Sequence, residues 1–268
     1  MTKPPVAVCF FGITRSLKRT IGSIEANVLG PAEALDQGAK CYAHLFQQAH
    51  INNPRSDESG AMDLNEHSLL NLDQVEFEAP DGCLEIWDFE GLKAHGSLWN
   101  DDFRSLRNLV HQLHSLNRVT EMALAGGAEI VVFARPDLTY HDSLAPALAR
   151  ANRGKGDLVQ LPWWQPFDGL NDRFAVVRGT TAIRAYGQRI TQLTAYCAAH
   201  GPVHAEKLVR FSLEQAQVPV RTFGARASRT RIDGTSPDEI FDYPRRYEIK
   251  RRYPAVGRLV KAVKSRLK

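Results

Sequence analysis

A run of apolar residues that stops abruptly at charged residues constrains the fold more than any other segment of this chain. Positions 130–134 read Ile-Val-Val-Phe-Ala, and Arg135, Pro136 and Asp137 follow at once. A continuous run rich in β-branched residues is typical of a strand buried on both faces, as in parallel sheets. A helical pattern over 103–125 precedes it, and ligands of open α/β folds bind where such strands end. The segment therefore predicts an α/β fold with charged groups at one edge of its sheet.

Strand-like and helix-like segments alternate along the rest of the chain. Further strands are predicted at 6–11, 41–46, 74–77, 157–161, 173–177 and 218–223. Further helices are predicted at 17–28, 180–199 and 205–215. Gly30-Pro31 is expected to end the first helix, and the polar segment 52–67 is expected to be a mobile surface loop. The alternation favours one mostly parallel, Rossmann-like sheet with helices on both faces.

Composition favours a globular protein that stays inside the cell. The 268 residues are 43% hydrophobic and 24% charged, which is ordinary for a folded domain. No segment approaches the ~20 apolar residues of a membrane span. The apolar run at 6–11 is too short for the core of a signal peptide, so we expect a cytoplasmic location. The four cysteines form no Cys-x-x-Cys pair, which predicts reduced thiols and no disulfide framework.

The positive charge is concentrated in the last residues of the chain. Residues 245–268 contain ten Lys or Arg and one Glu, a charge of +9, whereas the whole chain carries +4. The body is therefore mildly acidic, which argues against a nucleic-acid partner. Val256, Leu259, Val260 and Val263 share one face of a predicted helix whose remaining surface is basic. We expect a domain over 1–243 and, over 244–268, a basic amphipathic helix that lies on an anionic membrane surface.

Three polar clusters follow predicted strands, at 12–15, 135–137 and 168–175. If they meet at one edge of the sheet, Asp137 could bind a divalent cation that carries phosphates, because Mg²⁺ takes only one or two protein carboxylates. Asp172 could then act as a general base on a hydroxyl group. Trp163 and Trp164 offer flat apolar faces that suit a sugar ring. The clusters thus predict a site for a phosphorylated sugar.

Taken in order, the motifs resemble GT-A-type glycosyltransferases that use nucleotide sugars, in particular a bacterial subgroup associated with surface polysaccharides. The resemblance covers about residues 6–235. The motifs that carry it are Cys-Phe-Phe-Gly-Ile-Thr-Arg at 9–15, Gln-Leu-His-Ser-Leu at 112–116 with Arg118, Arg-Pro-Asp-Leu at 135–138, Gly-Leu-Asn-Asp-Arg-Phe-Ala at 169–175, and Glu206.

The resemblance implies a nucleotide-sugar donor, a divalent cation such as Mn²⁺ or Mg²⁺, and roles for individual residues. Asp137 matches the metal-binding end of the family's Asp-x-Asp motif, whereas Arg135 stands where the first Asp is expected and could pair with a phosphate. Gly12 and Arg15 fall where the nucleotide is cradled.

On the acceptor side, the resemblance implies that Asn171 and Asp172 are catalytic, with Asp172 as the base. Glu206 joins Trp163 and Trp164 as a candidate substrate-binding residue.

The leading hypothesis is an enzyme that moves a sugar from a nucleotide diphosphate donor to a glycan or lipid-linked acceptor in surface polysaccharide biosynthesis. The alternatives are a non-catalytic scaffold of the same fold and a transferase that replaces the metal with arginines.

For several of the candidate residues, a purely structural role is the alternative to a functional one. Asp137 and Asp172 could be turn or cap residues, Trp163 and Trp164 core aromatics, and Glu206 a partner in an ion pair. His111 and His114 are interpreted as structural, because no third ligand is evident in the sequence.

Overall fold

Seven of eleven strands build one central sheet in the computed structural model, which describes residues 5–35, 37–53 and 58–242. The strands are β1 (Val6–Gly12), β2 (Lys40–Phe46), β3 (His50–Asn53), β4 (Glu58–Ala61), β5 (Gln74–Glu78), β6 (Ile130–Ala134), β7 (Leu138–Tyr140), β8 (Leu158–Pro162), β9 (Ala175–Arg178), β10 (Val220–Phe223) and β11 (Ala227–Arg229). The order in the central sheet is β10-β8-β9-β6-β1-β2-β5. Two small antiparallel pairs, β3 with β4 and β7 with β11, lie beside it.

The central sheet is mostly parallel, as the sequence predicts, and β9 is the exception. β9 runs antiparallel to both β6 and β8, whereas the other neighbouring strands pair in parallel. Phe133 near the end of β6 is therefore opposite Ala175 at the start of β9. The segment that enters β9 consequently lies at the same edge as the carboxyl ends of β1 and β6.

Helices cover both faces of the sheet, which confirms the predicted layers. They are α1 (Leu17–Ile24), α2 (Gly30–Glu33), α3 (Gly82–Ile86), α4 (Phe89–Lys93), α5 (Arg104–Ala125), α6 (Ala145–Arg153), α7 (Thr180–Gly187), α8 (Leu193–His200) and α9 (Ala205–Gln215). Strand β1 shows the two-residue alternation behind this arrangement. Its Val8 and Phe10 pack into the core layer that contains α1 and α6, whereas Cys9 and Phe11 pack into the layer that contains α5, α7 and α9.

Gly30-Pro31 does not end the first helix, contrary to expectation. A five-residue π-helical turn, Glu25–Leu29, links α1 directly to α2. Pro31 lies in the first turn of α2, where a missing backbone N–H costs little. The π turn inserts one extra residue into the helical path.

The polar segment 52–67 is not a simple surface loop, which corrects a second expectation. Its described residues contribute to the β3–β4 hairpin and to a 3₁₀ turn, Glu66–Leu69. Glu58 and Glu66 are buried, and each accepts hydrogen bonds. Glu66 accepts from the backbone N–H of Leu17 at 3.0 Å and so caps α1. The segment is polar in part because its acidic side chains Glu58 and Glu66 are buried and accept hydrogen bonds from α1 and the residues before it.

The helix predicted over 180–199 is divided into α7, a 3₁₀ turn (Arg189–Gln192) and α8. The division follows Gly187, which packs so closely on α5 that an added Cβ would lie 2.1 Å from the Thr120 hydroxyl oxygen. Among the described residues, no helix combines the length and apolar character needed to cross a bilayer. The predicted basic tail over 244–268 lies outside the described residues.

Candidate functional site

Asp137 and Arg135 form a two-point ion pair just beyond the end of β6. Arg135 Nε donates to Asp137 Oδ1 at 2.9 Å, and Arg135 Nη2 donates to Oδ2 at 2.8 Å. Arg15, which follows β1, also donates to Oδ2. Asp137 is only 2% exposed. Two of the three predicted strand-end clusters therefore meet at one edge of the sheet.

The surroundings of Asp137 do not fit the metal site that the sequence implied. Both carboxylate oxygens accept hydrogen bonds from guanidinium groups, and a divalent cation there would face two positive charges. Burial alone would raise the pKa of Asp137, but Arg135 and Arg15 hold that pKa well below its usual range. The carboxylate instead holds two arginines in fixed positions at the sheet edge.

Arg15 is held from its other side by the β3–β4 hairpin. Its Nη1 donates to Glu58 Oε2 at 2.9 Å, and Glu58 Oε1 accepts from the Ile232 backbone N–H at 3.0 Å. The N–H of Gly12 donates to the Ser115 hydroxyl at 2.8 Å, so it does not face open space as a phosphate-binding amide would. Of the two residues predicted to cradle the nucleotide, Gly12 therefore has its N–H occupied by Ser115, whereas the guanidinium of Arg15 lies at this edge.

A third arginine, Arg229, was missed by the sequence reasoning. It ends β11, whose pairing with β7 brings it beside the ion pair described above. Burial lowers the pKa of Arg229 to about 10, and the positive charges of Arg15 and Arg135 contribute to the shift. In the part of the chain that the structure describes, Arg229 is half-buried and its Nε is buried without a hydrogen-bond partner. Basic residues at 226, 229 and 231 were the available signal, but nothing in their spacing singles out Arg229.

Asp172 and Glu206 supply two carboxylates on the neighbouring side of the edge. Asp172 is 9% exposed, and it is near enough to Arg135 to raise the pKa of that guanidinium, although burial works in the opposite direction. Burial and the negative charge of Asp172 raise the pKa of Glu206. His204 Nδ1 lies 3.1 Å from Glu206 Oε2. The third predicted cluster thus joins the other two, with Glu206 beside it.

Close backbone packing fixes the loop that carries Asp172 against α9. A Cβ added to Gly169 would lie 2.1 Å from the carbonyl carbon and oxygen of Glu206. The N–H of Leu170 donates to that same oxygen at 2.9 Å. Arg210 Nη2 donates to the Gly169 carbonyl oxygen at 2.9 Å. The loop and the first turn of α9 are therefore tightly packed against each other.

Three residues predicted for this site have structural contacts instead. Asn171 Nδ2 donates to the Trp164 carbonyl oxygen at 2.7 Å, and Asn171 Oδ1 accepts from the Arg173 N–H at 2.9 Å, so its amide is occupied by backbone. Trp164 is fully buried and its indole N–H donates to Ala225, which does not fit contact with a sugar. Trp163 is half-buried and packs on Gly224, where an added Cβ would lie 2.4 Å from its ring.

No family model matches the chain, and no curated protein matches it. Among solved structures, mouse xyloside xylosyltransferase 1 in its apo form aligns with a TM-score of 0.45 and 10% identity, over 82% of this chain and 84% of that one. An active-site mutant of LgtC aligns with a TM-score of 0.42 and 11% identity, over 81% of this chain and 72% of that one. The galactosyltransferase LgtC with donor and acceptor sugar analogs aligns at 0.41 and 12% identity, over the same shares. At these identities the likenesses do not indicate which residues act in this chain.

Proposed function

We propose that this protein is a glycosyltransferase that moves a sugar from a nucleotide diphosphate donor to a glycan or lipid-linked acceptor, and that arginines bind the diphosphate. One observation carries the proposal: Arg15, Arg135 and Arg229 converge where β1, β6 and β11 end, and the Nε of Arg229 is buried without a hydrogen-bond partner among the described residues. The motifs that resemble GT-A-type enzymes lie at this same edge.

The balance of charge at the edge favours an anionic ligand. Among the described residues, Asp137 and Glu58 are the carboxylates in direct ion pairs with these arginines, and they contact Arg15 and Arg135 but not Arg229. A buried Nε–H without a partner is costly, and a diphosphate oxygen would provide the missing acceptor. During transfer the departing diphosphate gains negative charge, which fixed guanidinium groups stabilise without rearranging. In this proposal Asp137 positions Arg15 and Arg135.

The two carboxylates beside the arginines would serve the acceptor. A hydroxyl nucleophile must lose a proton as it attacks, and a carboxylate within reach can accept it. Asp172 interacts electrostatically with both Arg135 and Glu206, so its carboxylate is placed between the arginines and the second acidic group. Burial and the negative charge of Asp172 raise the pKa of Glu206, so Glu206 holds a proton more readily than an ordinary Glu.

The test is calorimetry with a panel of nucleoside diphosphates and their sugars in excess EDTA. We expect one base class to bind with EDTA present, and Arg229→Gln to weaken binding by about tenfold or more, because it removes a charge-assisted hydrogen bond. Arg226→Gln is the matched control, since Arg226 pairs with Asp142 on the surface nearby. Asp172→Asn should leave donor binding unchanged and abolish donor hydrolysis, whereas Asp168→Asn, in the same loop, should not.

Two results would contradict the proposal. The first is the absence of binding by every nucleotide in the panel. The second is equal affinity of wild type and Arg229→Gln for the nucleotide that does bind. Binding of a nucleotide sugar without any turnover, in wild type as in Asp172→Asn, would favour a scaffold of the same fold.

A further inference from the structure

His44, Glu78 and His114 meet at a second place on the sheet edge, between β2, β5 and α5. Their candidate ligand atoms all lie within 4.8 Å of one another. Glu78 Oε1 is 3.2 Å from His44 Nε2, and Glu78 Oε2 is 2.8 Å from His114 Nε2. The two histidine side chains are 0% and 5% exposed, whereas the Glu78 side chain is 33% exposed. The cluster is therefore buried on two sides and reached from solvent through Glu78.

The hydrogen bonds of Ser115 determine which nitrogen of His44 carries hydrogen. The Ser115 hydroxyl donates its only hydrogen to the His44 carbonyl oxygen at 2.6 Å. His44 Nδ1 lies 3.0 Å from that hydroxyl oxygen, so Nδ1 must be the donor. With that hydrogen on Nδ1, the neutral His44 ring has no hydrogen on Nε2. That nitrogen is buried without a hydrogen-bond partner and faces the carboxylate of Glu78.

A lone pair that faces a carboxylate oxygen across 3.2 Å is unfavourable unless a proton or a cation lies between them. Two imidazoles and one carboxylate are a ligand set that zinc takes, with a fourth position left for water. Ligands about 2.0–2.1 Å from zinc lie roughly 3.3 Å apart, so small side-chain shifts would close this site.

Trp87 opposes such an ion in the present arrangement. Its indole N–H donates to His114 Nδ1 at 2.9 Å, which places the hydrogen of the neutral ring on Nε2. Coordination through Nε2 would move that hydrogen to Nδ1, where it would face the indole N–H. Two donors cannot bond to each other, so the indole must leave. Trp87 immediately follows the five-residue helix α3 and is partly buried against the core cluster that includes Val110 and Leu113, so the indole would also leave that packing.

We propose that His44 Nε2, Glu78 and His114 Nε2 bind one zinc ion and that binding displaces the indole of Trp87. Arg118 lies 3.6 Å from Glu78 and is also paired with Glu76 and Glu121, which reduces its repulsion of the ion. His111 is not part of the site, since its Nε2 lies 3.2 Å from Asp81 Oδ1 rather than near Glu78. The two ligands that the sequence did not reveal, His44 and Glu78, are supplied by β2 and β5.

The ion would connect to the strand end of β1 through hydrogen bonds that already exist. His44 Nδ1 holds Ser115, and Ser115 accepts from the N–H of Gly12 at 2.8 Å. A bound metal fixes the orientation of an imidazole, and the groups bonded to its other nitrogen share that constraint. We therefore expect zinc to raise the melting temperature of the protein.

The experiment titrates zinc chloride into the metal-free full-length protein and follows calorimetry, tryptophan fluorescence and thermal melting. Wild type should bind one zinc ion, change its fluorescence and melt at a higher temperature. Glu78→Gln should weaken binding by at least about tenfold, because it removes a charged ligand. Glu76→Gln, two residues earlier on the same strand, is the control and should bind as tightly as wild type or more tightly.

Trp87→Phe separates this proposal from ordinary surface binding of zinc. It removes the opposing donor, so affinity should increase by about tenfold, and the zinc-dependent fluorescence change should disappear. Absence of saturable binding by both wild type and Trp87→Phe would overturn the proposal. So would equal losses in Glu78→Gln and Glu76→Gln, or weaker binding by Trp87→Phe. None of these results depends on whether a nucleotide binds at the arginines.

Discussion

At the scale of single residues, the central feature is a carboxylate placed between two guanidinium groups. Asp137 is recognisable in the sequence because it follows a buried strand. Arg15 and Arg135 are candidates in the sequence too, but their pairing with Asp137 is not visible there, because Arg15 is 122 positions away in the chain and Glu58 pairs with that same arginine from a third segment. Sequence reasoning could therefore name the strand ends and several candidate residues, but not how they pair. It could not find whether an arginine or a metal would satisfy the charge.

Asp137→Asn should reduce the free energy of unfolding by about 3–5 kcal/mol at pH 7, because it leaves buried arginines without their carboxylate. Urea denaturation measures this change. Asp142→Asn is the control, since its pair with Arg226 is half-exposed and is worth less than about 1 kcal/mol. Equal stability of Asp137→Asn and wild type would contradict the role given to this ion pair.

The same substitution should change how stability depends on pH. Because Arg135 and Arg15 hold the pKa of Asp137 below its usual value, its stabilising effect is complete above the unfolded value of about 4. That contribution is lost as pH falls further and the folded protein is protonated. Wild type should therefore lose stability between about pH 5 and pH 3 more steeply than Asp137→Asn.

At the scale of elements, the loop from Asp168 to Phe174 is set by its contact with α9. Gly169→Ala should destabilise the protein and separate Asp172 from Glu206, because the new Cβ would meet the Glu206 backbone at 2.1 Å. The backbone of Glu206 cannot move aside as a flexible side chain could, so the clash would not be relieved locally. Turnover should fall together with the melting temperature. Gly22→Ala in α1 is the control, because nothing lies within 4 Å of its Cβ and alanine favours a helix.

The elements that could be predicted were those determined by local pattern. Strands β1, β2 and β6 are continuous apolar runs, and α5 has a long apolar face ended by a glycine pair. The elements that were predicted wrongly depend on contacts with residues that are distant in the sequence. The hairpin β3–β4 is polar because Glu58 serves Arg15, and α7 ends where Gly187 meets Thr120. The local pattern of residues does not show which distant residue an element will contact.

At the scale of the whole molecule, we expect membrane binding by the predicted basic tail over 244–268 to be independent of donor binding by the rest of the chain. Truncation after Arg252 removes five Lys or Arg and the predicted apolar face. Because each basic residue near an anionic surface contributes about 1 kcal/mol, the truncated protein should no longer sediment with phosphatidylserine vesicles. Its donor affinity should be unchanged. Vesicles of phosphatidylcholine alone are the control, and unaltered sedimentation with anionic vesicles would contradict the expectation.

The reversed direction of β9 has a consequence for how this protein could diversify. Since β8 and β9 are antiparallel neighbours, the connection between them, residues 163–174, leaves and re-enters the sheet at the edge that carries the arginines. A parallel neighbour would instead need a crossover to the opposite edge. Under the proposed function, exchanges at the exposed positions of this connection, Phe167 and Asp168, would reshape the acceptor side and leave every strand pairing in place. The buried Trp164 and Phe174 and the closely packed Gly169 would have to stay unchanged.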